Sequence, residues 1–197
     1  MSKKQAENNL EMPSLEQLEA EFQNEQHKTR FTQVLRSTIF SLVVVAAVVV
    51  LITILLLPVL QITGNSMSDT LHQGDVVIAF NRSEYETGDV IAFYYNNNIL
   101  VKRVIGHPGD WVDIDADGNV FVNGEALDEP YLTQKALGDC NIQLPYQVPE
   151  DKLFVMGDHR STSIDSRNTA LGCISQDLAV GKLVFRVWPL TGFGMLN

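Results

Sequence analysis

From Ser37 to Thr63 the chain contains no aspartate, glutamate, lysine, arginine or histidine. That excludes an ordinary core helix, which keeps a polar face toward water. It also excludes a cleaved secretory leader, whose apolar region is only about 7–15 residues long and lies near the N-terminus. Basic residues are scarce as well, 14 Lys and Arg against 24 Asp and Glu, for a net charge of −10. The basic footprint that phosphate binding requires is missing, so a nucleic-acid partner is not expected. Only two cysteines occur, Cys140 and Cys173, and no Cys/His cluster has metal-ligand spacing, so neither metal nor cofactor is expected. In an oxidising compartment the two thiols could pair or stay free, and the sequence leaves both open.

The charge-free run exceeds the roughly 20 residues that cross a hydrocarbon core as a helix. Lys28, Arg30 and Arg36 precede it, and the next basic residue is Arg82. The positive-inside rule therefore predicts a cytoplasmic tail over 1–36, a transmembrane helix over 37–62 and an extracytoplasmic domain over 63–197. The lipid bilayer is thus one partner. The tail mixes Glu16, Glu19, Glu21 and Glu25 with Lys28 and Arg30, a composition that fits a short helix or a disordered segment.

After residue 63 short apolar runs alternate with Gly-Asp and Asn-Gly punctuation: DVVIAF, DVIAFYY, ILVKRVIG, NVFVNG, KLFVMGD and KLVFRVW. These runs predict strands, and their close spacing predicts a mainly β domain. Residues from about 107 to 151 hold most of the turn chemistry and form a candidate cap or insertion. At the C-terminus, Trp188, Phe193 and Met195 are expected to close the β core, a lipid-interface role being the alternative.

Three segments carry candidate chemistry. Gly64-Asn65-Ser66-Met67 follows the apolar run. A serine hydroxyl is a weak nucleophile until a base takes its proton. Lys102, within Ile99–Ile105, can be that base if desolvation lowers its pKa. Strand alternation places Leu100 and Val104 on the Lys102 face and turns Arg103 the other way. Gly157–Arg167 is a dense polar loop whose hydroxyls and Asp–Arg pairs could orient an amine.

Together these segments resemble the bacterial type I signal peptidases: Gly-x-Ser-Met near a membrane span, Lys-Arg-Val-Ile-Gly-x-Pro-Gly-Asp at 102–110, and Gly-Asp-x-Arg-x-x-Ser-x-Asp-Ser-Arg at 157–167. The resemblance implies a signal-peptidase-like coiled antiparallel β-sheet catalytic domain with a small cap. It implies a membrane-bound serine endopeptidase that cuts signal peptides from secretory preproteins after small residues, through an acyl-enzyme. By the same resemblance Ser66 is the nucleophile and Lys102 the general base. Ser163 positions the Lys102 amine, while Asp158, Asp165 and Arg167 hold the loop. Ile62, Met67, Leu71, Leu100 and Val101 match substrate-pocket positions. The oxyanion hole would use the Ser66 N–H, and Gly64 offers no hydroxyl where some members have serine. Asp69 stands where the pattern has proline, and His159 where it has asparagine; the first departure gives up a fixed φ after the nucleophile.

Two other readings fit less well. Self-cleaving repressor proteases also use a Ser/Lys pair but carry a DNA-binding domain where this chain has an apolar span. A catalytically silent binding module would have no need of both Ser66 and Lys102. The branch of the family that uses histidine as base is excluded by Lys102.

Overall fold

The computed structural model describes residues 15–81 and 84–196. The start of the expected tail and Arg82 lie outside the described residues. Two compact units divide the chain, residues 1–53 and 54–197.

In the first, helix α1 (Leu15–Leu56) is continuous. Its stretch Arg30–Ile52 has a mean hydropathy of 2.5 and none of it is buried by protein. At 1.5 Å per residue the stretch is about 35 Å long, enough to cross a hydrocarbon core. It is the one such helix among the described residues. The Thr38 hydroxyl donates to Val34 O at 2.9 Å, so this polar group needs no water.

Helical geometry stops at Leu56 rather than at residue 62, as the apolar run had suggested. Pro58 explains the stop: it has no N–H to donate and disfavours helical geometry in the residue before it. The rest of the run is strand β1 (Val59–Gln61), paired with β2 (Val76–Phe80).

Strands β3 (Val90–Tyr95), β4 (Asn98–Gly106), β9 (Lys152–Met156), β10 (Ile174–Ser175), β11 (Ala179–Trp188) and β12 (Gly194–Met195) complete the larger sheet. Its order is β1-β2-β11-β3-β4-β9-β10, every pair antiparallel, with β12 on β11. A smaller sheet orders β7 (Glu125–Ala126), β6 (Val120–Val122), β5 (Trp111–Ile114) and β8 (Tyr146–Gln147). It falls within the span read as a cap. The mainly antiparallel β class expected from the sequence is therefore the observed one.

Both faces of the larger sheet are packed, and period-two alternation divides them. Val90, Ala92 and Val101 join one core cluster, while Ile91, Phe93, Leu100 and Val104 join another. The β3–β4 hairpin turns through Asn96 and Asn97, both at positive φ (43° and 65°), the backbone of the tight hairpin turn that matches strand twist. That turn pairs Ile91 with Lys102, and a slip of one residue would send Lys102 to the opposite face.

A third cluster, Ile105, Val112, Ile114, Val120, Val148, Phe154 and Met156, joins the two sheets. The C-terminal aromatics do not close the core as expected. Trp188, Phe193 and Met195 are exposed, with β12 paired at the end of β11 and Phe185 stacked edge-on against Phe193. Cys140 and Cys173 are free thiols.

Phe154 is fully buried between the sheets. Phe154→Ala is expected to lower stability by about 3–5 kcal/mol, measured by urea denaturation.

Candidate active site

Ser66 lies in a tight turn between β1 and β2, held by Ser68 N–H to Asn65 O (3.1 Å), Thr70 N–H to Met67 O (2.9 Å) and Leu71 N–H to Met67 O (2.6 Å). Beneath it Ile62, Met67 and Leu71 are buried in one core cluster. Gly64 has φ +86°, a region in which a side chain is strained, so the local backbone disfavours a serine there.

Lys102 comes from β4 and is 4% exposed. Its Nζ is hydrogen-bonded to Ser66 Oγ at 2.6 Å. Burial pulls the Lys102 pKa from 10.5 down to about 8, against the opposing pull of the Asp165 carboxylate; the Arg167 charge lowers it further and Asp158 raises it.

The loop 157–167 packs directly on the Ser66 turn. His159 N–H donates to Ser66 O at 3.0 Å. A Cβ on Gly157 would sit 2.6 Å from Ser66 O and 2.2 Å from Ser163 Oγ, so no larger residue fits without displacing the nucleophile's own carbonyl. Asp165 accepts from Gly157 N–H (2.9 Å), Arg167 Nε (2.8 Å) and Arg167 Nη2 (2.8 Å). Burial works against the Asp165 carboxylate, but the Arg167 bonds and charge outweigh it and hold its pKa below the usual value. Asp158 takes a two-pronged bond from Arg103 (2.9 and 2.7 Å) and another from the Thr70 hydroxyl. His159 keeps a polar contact, Nδ1 to Thr162 Oγ1 at 2.6 Å.

Ser66, Lys102, Asp158, Asp165 and Arg167 are thus brought into one site. Ser163 is buried in the same loop, with its hydroxyl beside Gly157 and Asp165, and no direct hydrogen bond joins its Oγ to the Lys102 amine. Ile62, Met67, Leu100 and Val101 line a cleft that opens beside Ser66 and Lys102. Leu71 does not line it; it is fully buried below the turn. Arg103, Thr70, Arg160, Glu129 and Tyr131 were not singled out as site residues. Arg160 and Glu129 form a buried ion pair, and the Arg103 guanidinium lies 3.8 Å from the Tyr131 ring centroid. Arg103 and Arg160 sit inside the quoted motifs, which was the available signal. For Glu129 and Tyr131 the sequence offered none.

Residues 35–188 match the family described as "Signal peptidase, peptidase S26". The chain belongs to the signal peptidase family. Among curated relatives, Signal peptidase IB of Staphylococcus aureus (strain N315) is 39% identical over 67% of this chain and 78% of its own length. Signal peptidase I of Bacillus licheniformis is 33% identical over 76% of this chain and 86% of its own length. A crystal structure of a signal peptidase I from Enterococcus faecalis V583 is 29% identical, covering 52% of this chain and 99% of that one, with a TM-score of 0.43. As a member of the signal peptidase family the protein is a serine endopeptidase.

The folded protein binds the Lys102 proton less tightly than the unfolded chain does. The cost of housing the charged amine is therefore fully present below pH 8 and gone above 10.5. Lys102→Met should raise stability at pH 7 by about 1–3 kcal/mol. In urea denaturation the gap from wild type should shrink as the pH is raised from 8 to 10.5.

Proposed function

We propose that the chain removes N-terminal signal peptides from secretory preproteins by cutting after small residues in an Ala-x-Ala pattern, with Ser66 as nucleophile and Lys102 as general base. The observation that carries this reading is the 2.6 Å contact between Lys102 Nζ and Ser66 Oγ, made by an amine whose pKa is about 8. A neutral amine at that distance accepts the Ser66 proton as Oγ attacks the scissile carbonyl. The resulting ammonium then protonates the leaving amine, and the acyl group stays on Ser66 as an ester. Water, deprotonated by the same amine, completes the hydrolysis. The Ser66 N–H is the first donor for the oxyanion.

Sheet topology supports an extended substrate. β9 pairs with β4 only from Arg103 onward, so the edge at Asn98–Lys102 is open beside the cleft, and residues 60–64 line the other wall. A peptide laid as a strand between them would turn alternate side chains into the cleft. Ile62, Met67, Leu100 and Val101 give the cleft an apolar lining, which suits small apolar side chains.

In this reading α1 anchors the enzyme in the membrane, with the N-terminus cytoplasmic and residues 63–197 on the outer side, where preproteins emerge.

The test is cleavage of a preprotein bearing Ala-x-Ala by the full chain in detergent. Ser66→Ala and Lys102→Met should each lower kcat about a thousandfold or more, and wild-type kcat/KM should rise with pH around a midpoint near 8. Cleavage that survives either substitution, or a rate independent of pH between about 6 and 9, would contradict the mechanism.

A further inference from the structure

Residues 127–137 have no helix or strand, yet they touch all three segments that build the site. Glu129 forms the buried ion pair with Arg160, whose Nε donates to Gly157 O at 3.0 Å. Tyr131 carries its ring over Arg103, the neighbour of Lys102, and its hydroxyl donates to Glu129 Oε1 at 3.1 Å. Arg167 Nη1 donates to Ala136 O and Leu137 O at 3.2 and 2.6 Å. Thr133 N–H donates to Asp69 Oδ2 at 2.7 Å, and Asp69 is three residues from the nucleophile.

We propose that segment 128–137 is a positioning arm for the Ser66–Lys102 pair, and that Asp69 is the residue through which it holds the nucleophile turn. The inference rests on the dyad reading above.

The arm is not held by any strand ladder, so these ties fix its course together with Leu137, which packs on the third core cluster. Each tie reaches a residue that also contacts the dyad's surroundings. Arg103 is bonded to Asp158, to Thr70 Oγ1 (3.1 Å) and to Gly88 O (2.7 Å), which locks β4 against the Ser66 turn from behind. Asp69 secures the same turn from the opposite partner, the arm. At this position the family pattern has proline, which fixes φ locally. Here the restraint is tertiary: a charged acceptor on a backbone N–H, a stronger bond than a neutral one. Asp69 is not among the charges that set the Lys102 pKa, so its effect should be on geometry and not on proton affinity. Displacing a nucleophile is costly in rate because attack requires aligned atoms, a misplacement of about 1 Å costing about a hundredfold.

Asp69→Ala and Asp69→Asn, together with the inactive Ser66→Ala control, would be assayed on the same preprotein in detergent. Asp69→Ala should lower kcat about tenfold while KM stays within about twofold. The pH–rate midpoint should stay near 8, and Tm should fall by no more than about 2 °C. Asp69→Asn keeps an oxygen that can accept from Thr133 N–H, and should restore kcat to within about threefold of wild type. A kcat for Asp69→Ala within about twofold of wild type, a loss confined to KM, or an Asn variant no better than Ala would overturn the proposal. Activity in Ser66→Ala would overturn the dyad reading instead, so the two failures are distinguishable.

Discussion

Everything at the site depends on keeping a lysine amine out of water. An ammonium on a four-carbon stem ordinarily reaches solvent, and desolvating it costs free energy that the fold must supply. Here β4 carries Lys102 beside β3, paired with Ile91, with Leu100 and Val104 on its own side of the sheet. The Ser66 turn covers the amine and offers its hydroxyl. The cost appears as a pKa of about 8 in place of 10.5, which is also what makes the amine useful as a base near neutral pH.

The surrounding charges are arranged so that this state is not undone. Asp165 and Asp158 would both favour the ammonium, but each is engaged by its own arginine, Arg167 and Arg103. A carboxylate left unpaired at such a burial would be expensive and would pull the proton back onto the lysine. The arginines do a second task, because their remaining N–H groups bond to backbone oxygens at Gly88, Ala136, Leu137 and Arg160. Loop 157–167 is thereby fixed without regular secondary structure, and His159 N–H transmits that order to the carbonyl of Ser66.

Much of this was legible in the sequence where one residue's neighbours determine its setting. Alternating apolar runs revealed β2, β3, β4, β6, β9 and β11, and the parity of Leu100, Lys102 and Val104 followed from the same alternation. β1 was hidden because Val59–Gln61 continues a charge-free helix without a change in composition, and only Pro58 marks the break. Leu71 looks like a pocket residue by its place in the motif, yet the turn directs it into the core. The exposed Trp188, Phe193 and Met195 could not be told from core residues by composition. Glu129, Tyr131 and the tie from Asp69 to Thr133 join segments far apart in the chain, and spacing carries no record of such contacts.

Lys102 in the folded protein gives up its proton near pH 8 and not near 10.5. The most direct measurement is an NMR titration of the lysine Cε resonances of the 13C-labelled full chain in detergent micelles, with Lys102→Met for assignment. One resonance, absent from the substituted protein, should titrate near pH 8. If the resonance lost in Lys102→Met titrates near 10.5 with the other lysines, the amine is not desolvated and the Ser66–Lys102 mechanism loses its base.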